Sequence, residues 1–163
     1  MKLAYRGYLL FQLCAASVSN AVVNWGLGWL MFHRLASVPL TGDLSMLADI
    51  VGTCVFLPFL SCAVTTPIVR WDLRKGRVGA LTWRRETHRA LRILPRNTWY
   101  RGGVLGLVAT AVVAPALYAA MVAGSIEAMP SRSYIVVKTV LGVGLGLLVT
   151  PVIVVWALAD PSE

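Results

Sequence analysis

The chain has 163 residues, of which 58% are hydrophobic and only 13% charged, with a net charge of +8. Soluble domains average about half apolar and a quarter charged, and a domain this small has too little interior to hide so much apolar surface. An ordinary water-soluble domain is therefore excluded. The mean hydropathy of +0.72 agrees, and the few charges must be concentrated where they set topology.

Apolar runs occupy residues 7–32, 46–69, 103–124 and 133–158. Each reaches the roughly 20 residues that cross a bilayer. Backbone groups in lipid must bond within their own segment, so the runs predict helices, not strands. The expected fold is all-α: a polytopic membrane protein whose four transmembrane helices form two tandem hairpins. Residues 1–70 make the first hairpin, 71–101 a basic cytoplasmic segment and 102–163 the second hairpin. The first run is too long for a signal-peptide core and lacks a small-residue cleavage site.

In the first run, Ser17, Asn20 and Asn24 share a helical face with Cys14, Ala21 and Gly28. In the second, Pro58, Ser61 and Thr65 share a face with Cys54 and Cys62. The two stripes are expected to meet. Two readings stand: an interhelical hydrogen-bond seam between small residues, or a polar intramembrane lining for a solute. The three cysteines lack metal-ligand spacing and read as small hydrophobes packed between helices.

Between the hairpins stand Arg70, Arg74, Lys75, Arg77, Arg84, Arg85, Arg89, Arg92, Arg96 and Arg101, against only Asp72 and Glu86. The other loops carry Arg34 and Arg132. The positive-inside rule places the basic segment and both termini in the cytoplasm. Trp25 and Trp29 would mark the outer interface, and Trp71, Trp99, Tyr100 and Trp156 the inner one. Residues 82–95 read as a basic amphipathic helix with Thr82 as cap. Trp83, Ala90, Leu91 and Leu94 lie on one side and Arg85, His88, Arg89, Arg92 and Arg96 on the other. Arg84, Arg85, Arg89, Arg92 and Arg96 are then contacts for anionic lipid headgroups. The apolar face favours lipid over nucleic acid as the partner.

Lys138 sits about one turn inside the fourth run, where a charge costs several kcal/mol unless it pairs or snorkels. Asp49, at the outer end of the second run, is the candidate ion-pair partner. Gly142 with Gly146, and Gly102 with Gly106, have the small-xxx-small spacing that lets helices approach closely, within or between chains.

The two halves repeat. Tyr5-Arg6-Gly7 opens the first run and Tyr100-Arg101-Gly102 the third; Thr66-Pro67 and Thr150-Pro151 stand near the ends of the second and fourth. An internal duplication with its axis along the membrane normal follows. Pro58, Pro67, Pro115 and Pro151 are candidate kinks, either hinges or fixed bends. The hydroxyls of Thr65, Thr66 and Thr150 are expected to re-satisfy the carbonyls that proline frees. With its Thr66-Pro67-Ile68-Val69-Arg70 closing a hairpin, the chain resembles uncharacterised small bacterial inner-membrane proteins built from one or two such hairpins. That resemblance implies a bacterial inner-membrane location and no activity.

The acids are few, and no metal-binding, P-loop or nucleophile motif occurs. The expectation is a protein that is not an enzyme and holds no cofactor or metal. It acts as a structural, interaction or accessory membrane protein anchored by its basic segment, with membrane lipids, another membrane subunit or further copies of itself as partners. The alternative is a small oligomeric transporter or channel with a polar path along Ser17, Asn20 and Asn24.

Overall fold

The computed structural model describes residues 5–79 and 97–159. Among them are four helices, α1 (Tyr5–Phe32), α2 (Met46–Arg74), α3 (Thr98–Ala123) and α4 (Ser131–Ala159), and two short strands, β1 (Ser37–Pro39) and β2 (Ala128–Pro130). The expected amphipathic helix at 82–95, with Arg84, Arg85, Arg89, Arg92 and Arg96, lies outside the described residues. Ser45 caps α2 by accepting from the Ala48 amide, and Asn97 caps α3 by accepting from the Trp99 amide, each satisfying a donor that a helix start leaves free. Pro58, Pro67, Pro115 and Pro151 all lie inside helices that continue past them.

Three of the helices, α2, α3 and α4, are long and apolar enough to cross a membrane. This fits a polytopic helical membrane protein, and it corrects the count of four runs meeting that criterion. At 28 residues α1 is long enough, but Gln12, Ser17, Ser19, Asn20 and Asn24 lower its average hydropathy. Its outward surface is nonetheless apolar: Leu10, Phe11, Val18, Val22, Trp25 and Leu30 are exposed. The polar residues that lower the average are largely turned inward.

The helices pack in the order α1, α4, α2, α3. The first helix of each hairpin therefore lies on the second helix of the other hairpin, and the two second helices meet at the centre. The loops repeat this reciprocity. Strand β1 pairs antiparallel with β2, Val38 opposite Met129, and Ser131 Oγ donates to the Leu35 carbonyl at 2.6 Å. A two-fold axis parallel to the helices would generate this set of pairings. Val38 is fully buried, joining Phe32, Met46, Ile50 and Tyr134 in a core at this strand end. A second core at the opposite, basic end joins Tyr8, Val69, Val154 and Leu158.

The repeated motifs fare differently. Thr66 and Thr150 are both almost wholly buried, and Val69 and Ile153, three residues on, are fully buried. The Tyr-Arg-Gly copies are not equivalent, because Arg6 is exposed whereas Arg101 is 1% exposed. Arg101 lies under the Trp156 ring, its Cζ 5.4 Å from the ring centroid. Trp156 is accordingly buried and does not mark an interface as the sequence reading expected. Thr66 and Thr150 also depart from expectation: among the described residues neither buried hydroxyl oxygen has a hydrogen-bond partner, so neither re-satisfies a carbonyl freed by proline. Cys54 and Cys62 are buried as expected, but Cys14 is exposed on the outer side of α1.

Candidate functional site

Reciprocal packing leaves α1 and α2, neighbours in sequence, standing apart with α4 between and behind them. The gap is a groove of about 670 Å³. Its lining reaches from Phe32 to Gln12 on α1 and from Ser45 to Ile68 on α2. At 1.5 Å per residue that is about 30 Å, close to the hydrocarbon thickness of a bilayer. Its walls are mainly apolar, among them Leu27, Phe56, Leu60 and Val64.

A charge network closes the strand end of the groove. Lys138 Nζ pairs with Asp49 Oδ1, and the two side chains are 4% and 8% exposed. Tyr134 Oη donates to Asp49 Oδ2 at 2.7 Å, and Lys138 Nζ also donates to Thr53 Oγ1 at 3.3 Å. A buried charge needs a partner and further hydrogen bonds to be tolerated; Asp49 and Lys138 are each other's partner, and Tyr134 and Thr53 supply the further bonds. Of the two readings for Lys138, the structure holds the pair, not the snorkelled side chain. Gly28 makes room for it: a Cβ there would lie 3.1 Å from Lys138 Cδ. Asp43, exposed, lies at the groove mouth.

The basic end has its own network. Gln12 Nε2 donates to Tyr8 Oη at 2.9 Å, Tyr8 Oη donates to Asp72 Oδ2 at 3.1 Å, and Arg77 Nη1 donates to Asp72 Oδ1 at 3.1 Å. These bonds tie α1 to the end of α2. The sequence reading missed Gln12 and Thr53. Both continue the four-residue rows, Tyr8–Gln12–Asn20–Asn24 on α1 and Asp49–Thr53–Ser61–Thr65 on α2, so the signal was available in the spacing.

Between the two networks, Asn20, Asn24, Ser61 and Thr65 all line the groove, whereas Ser17 does not. The asparagines do not meet the second helix as expected. They lie over glycines of α4, because α1 docks on α4. A Cβ on Gly142 would collide with the Asn24 amide, and one on Gly146 with that of Asn20. Asn24 Nδ2 donates to the Asn20 carbonyl at 2.9 Å, and Asn20 Nδ2 is buried without a partner. Cys62 turns away from α1, packing with Val149, Ile153 and Leu105. The other small-residue pair serves the α2–α3 contact, where Gly102 faces Phe59 and Gly106 faces Val55. Both glycine pairs thus pack within the chain.

The arrangement is amphipathic: an apolar-walled channel open along one side, with amides and hydroxyls on its floor and a neutralised charge cluster at each end. No three His, Cys, Asp or Glu side chains gather into a metal-holding group among the described residues. Comparison of the chain with protein-family models, with curated proteins and with solved structures finds no match.

Proposed function

We propose that this chain is a four-span protein of the bacterial inner membrane that works as an interaction or accessory protein, with the α1–α2 groove as its binding surface. The observation that carries this reading is the pairing of the groove's buried charges. Lys138, on the groove wall, is neutralised by Asp49; beyond the basic end of the groove, Asp72 is neutralised by Arg77 and accepts from the Tyr8 hydroxyl. A carrier needs groups left free to bind its solute, whereas an apolar partner needs only a shaped, neutral surface. Inclusion of α1 as a span is supported by its exposed apolar side chains and by its packing along α4. The basic segment and both termini are placed in the cytoplasm, with anionic headgroups as their contacts.

Flux measurements test the reading. Liposomes carrying the protein are expected to pass protons and small solutes at the rate of empty liposomes. The N20A/N24A variant is expected to lose about 1–3 kcal/mol of stability in detergent, because truncating both side chains leaves gaps over Gly142 and Gly146, with flux unchanged. Asparagine-dependent flux above background would reverse the assignment in favour of the solute path. Orientation has a separate test. With Cys14, Cys54 and Cys62 replaced, a cysteine at position 34 is expected to react with an impermeant maleimide on intact cells and one at position 79 is not. Labelling at 79 would invert the topology.

A further inference from the structure

The groove changes character along its length. Its strand-end half holds Asp43, Asp49, Thr53 and Lys138; its basic-end half is lined chiefly by small and aliphatic side chains, Ala15, Ala16, Leu60, Val64 and Ile68 among them. From Ile68 to Phe56 the α2 wall rises through 12 residues, or about 18 Å, slightly more than one leaflet's share, about 15 Å, of the hydrocarbon core. Continuing the α2 row by three residues beyond Ile68, and then by four more, leads to Trp71 and Lys75. Trp71 is exposed. Lys75 Nζ lies 3.7 Å from the centre of its ring, and Arg77 Cζ lies 4.7 Å away. The indole gathers two cations at one point just past the end of the apolar half-groove. Arg77 uses one nitrogen on Asp72. Among the described residues no other hydrogen bond or ion pair engages its remaining donors or the Lys75 ammonium, and together they have the fork-and-point geometry that suits phosphate.

Resting on the reading of the groove as the binding surface, we propose that its occupant is an anionic phospholipid of the basic-end leaflet. One acyl chain lies between Ala16 and Val64, and the phosphate is held at Lys75 and Arg77 beside Trp71. Charge complementarity sets the direction of entry. The exposed carboxylate of Asp43 repels an anionic headgroup from the strand end, while Arg74, Lys75 and Arg77 attract one at the other. Small residues on the α1 wall leave width for a hydrocarbon chain.

The test is lipid retention by the purified full-length protein in detergent, counted by native mass spectrometry after titration with phosphatidylglycerol or phosphatidylcholine. Wild type is expected to keep one phosphatidylglycerol in preference to phosphatidylcholine. V64W fills the groove from an exposed position and leaves every charge in place, including those of residues 80–96. It is expected to lose that lipid, and V112W, an equally exposed change on α3, is expected to keep it. K75Q is expected to reduce the preference about five-fold, the effect of one basic residue at an anionic surface, and K75R to restore it. If V64W retains lipid as V112W does, the lipid lies outside the groove and the proposal fails, while the reading of the groove as a surface for another apolar partner stands. If V64W loses lipid but K75Q keeps the full preference, the groove stands as a binding surface and the headgroup assignment is overturned.

Discussion

Replacing Lys138 by Met is expected to destabilise the bundle by about 3–5 kcal/mol, because it leaves the Asp49 carboxylate buried beside an apolar side chain. The methionine fills nearly the same volume, so packing contributes little to the loss. Tyr134 and Thr53 cannot replace the lost charge, although Tyr134 still donates to Asp49. The loss should be recovered in the double variant. With Asp49→Asn added, no charge remains buried, and stability is expected to return to within about 1 kcal/mol of wild type, since a buried ion pair is worth little over a neutral replacement. Unfolding in mixed micelles of dodecylmaltoside and SDS, followed by circular dichroism, measures both. A K138M protein as stable as wild type would mean that the pair is hydrated and the strand end of the groove open to water.

The second large effect concerns glycine. Gly106→Ala would put a methyl group 2.7 Å from the Val55 carbonyl oxygen and 3.3 Å from Val55 Cα. Backbone cannot rotate aside, so α2 and α3 must separate along their contact, at a cost of about 1–3 kcal/mol or more. Gly142→Ala has a similar expected cost by another route. The Asn24 amide can swing away, but only by giving up its bond to the Asn20 carbonyl and leaving a polar group unpaired. The neighbouring glycines are the controls. Nothing lies within 4 Å of a Cβ on Gly103 or Gly144, and alanine there gains helix propensity, about 0.8–1 kcal/mol in a helix interior. The expected pattern is loss at 106 and 142 with no change or a gain at 103 and 144. Equal effects at Gly142 and Gly144 would show that the α1–α4 contact is not closely packed.

Much of the site was legible as residue type and spacing. Four of the five residues placed on the polar intramembrane face, Asn20, Asn24, Ser61 and Thr65, line one groove. Asp49 and Lys138, separated by 89 positions, form an ion pair. The pairing could be read because a charge in a low-dielectric interior admits few partners and the membrane levels of two helices can be counted from their ends. Gln12 and Thr53 went unread although they continue the same rows. Ser17 was included because its spacing from Asn20 is helical, yet a helix face is broad enough for it to fall beside the groove.

The sequence by itself determined what each segment must be and which way its polar face points. Apolar length, the scarcity of charge between turns and the basic block after the second run dictate helices and their ends, because these are local properties of the chain in a solvent. Tertiary structure alone decided which helix each face meets. Periodicity orients a side chain about its own axis and is silent about the neighbour. The neighbour is chosen by volume: Asn20 and Asn24 require gaps the size of an absent Cβ, and Gly146 and Gly142 on α4 supply them. That fit moves α1 onto α4, brings β1 against β2 and opens the groove between two helices that the chain order had placed side by side.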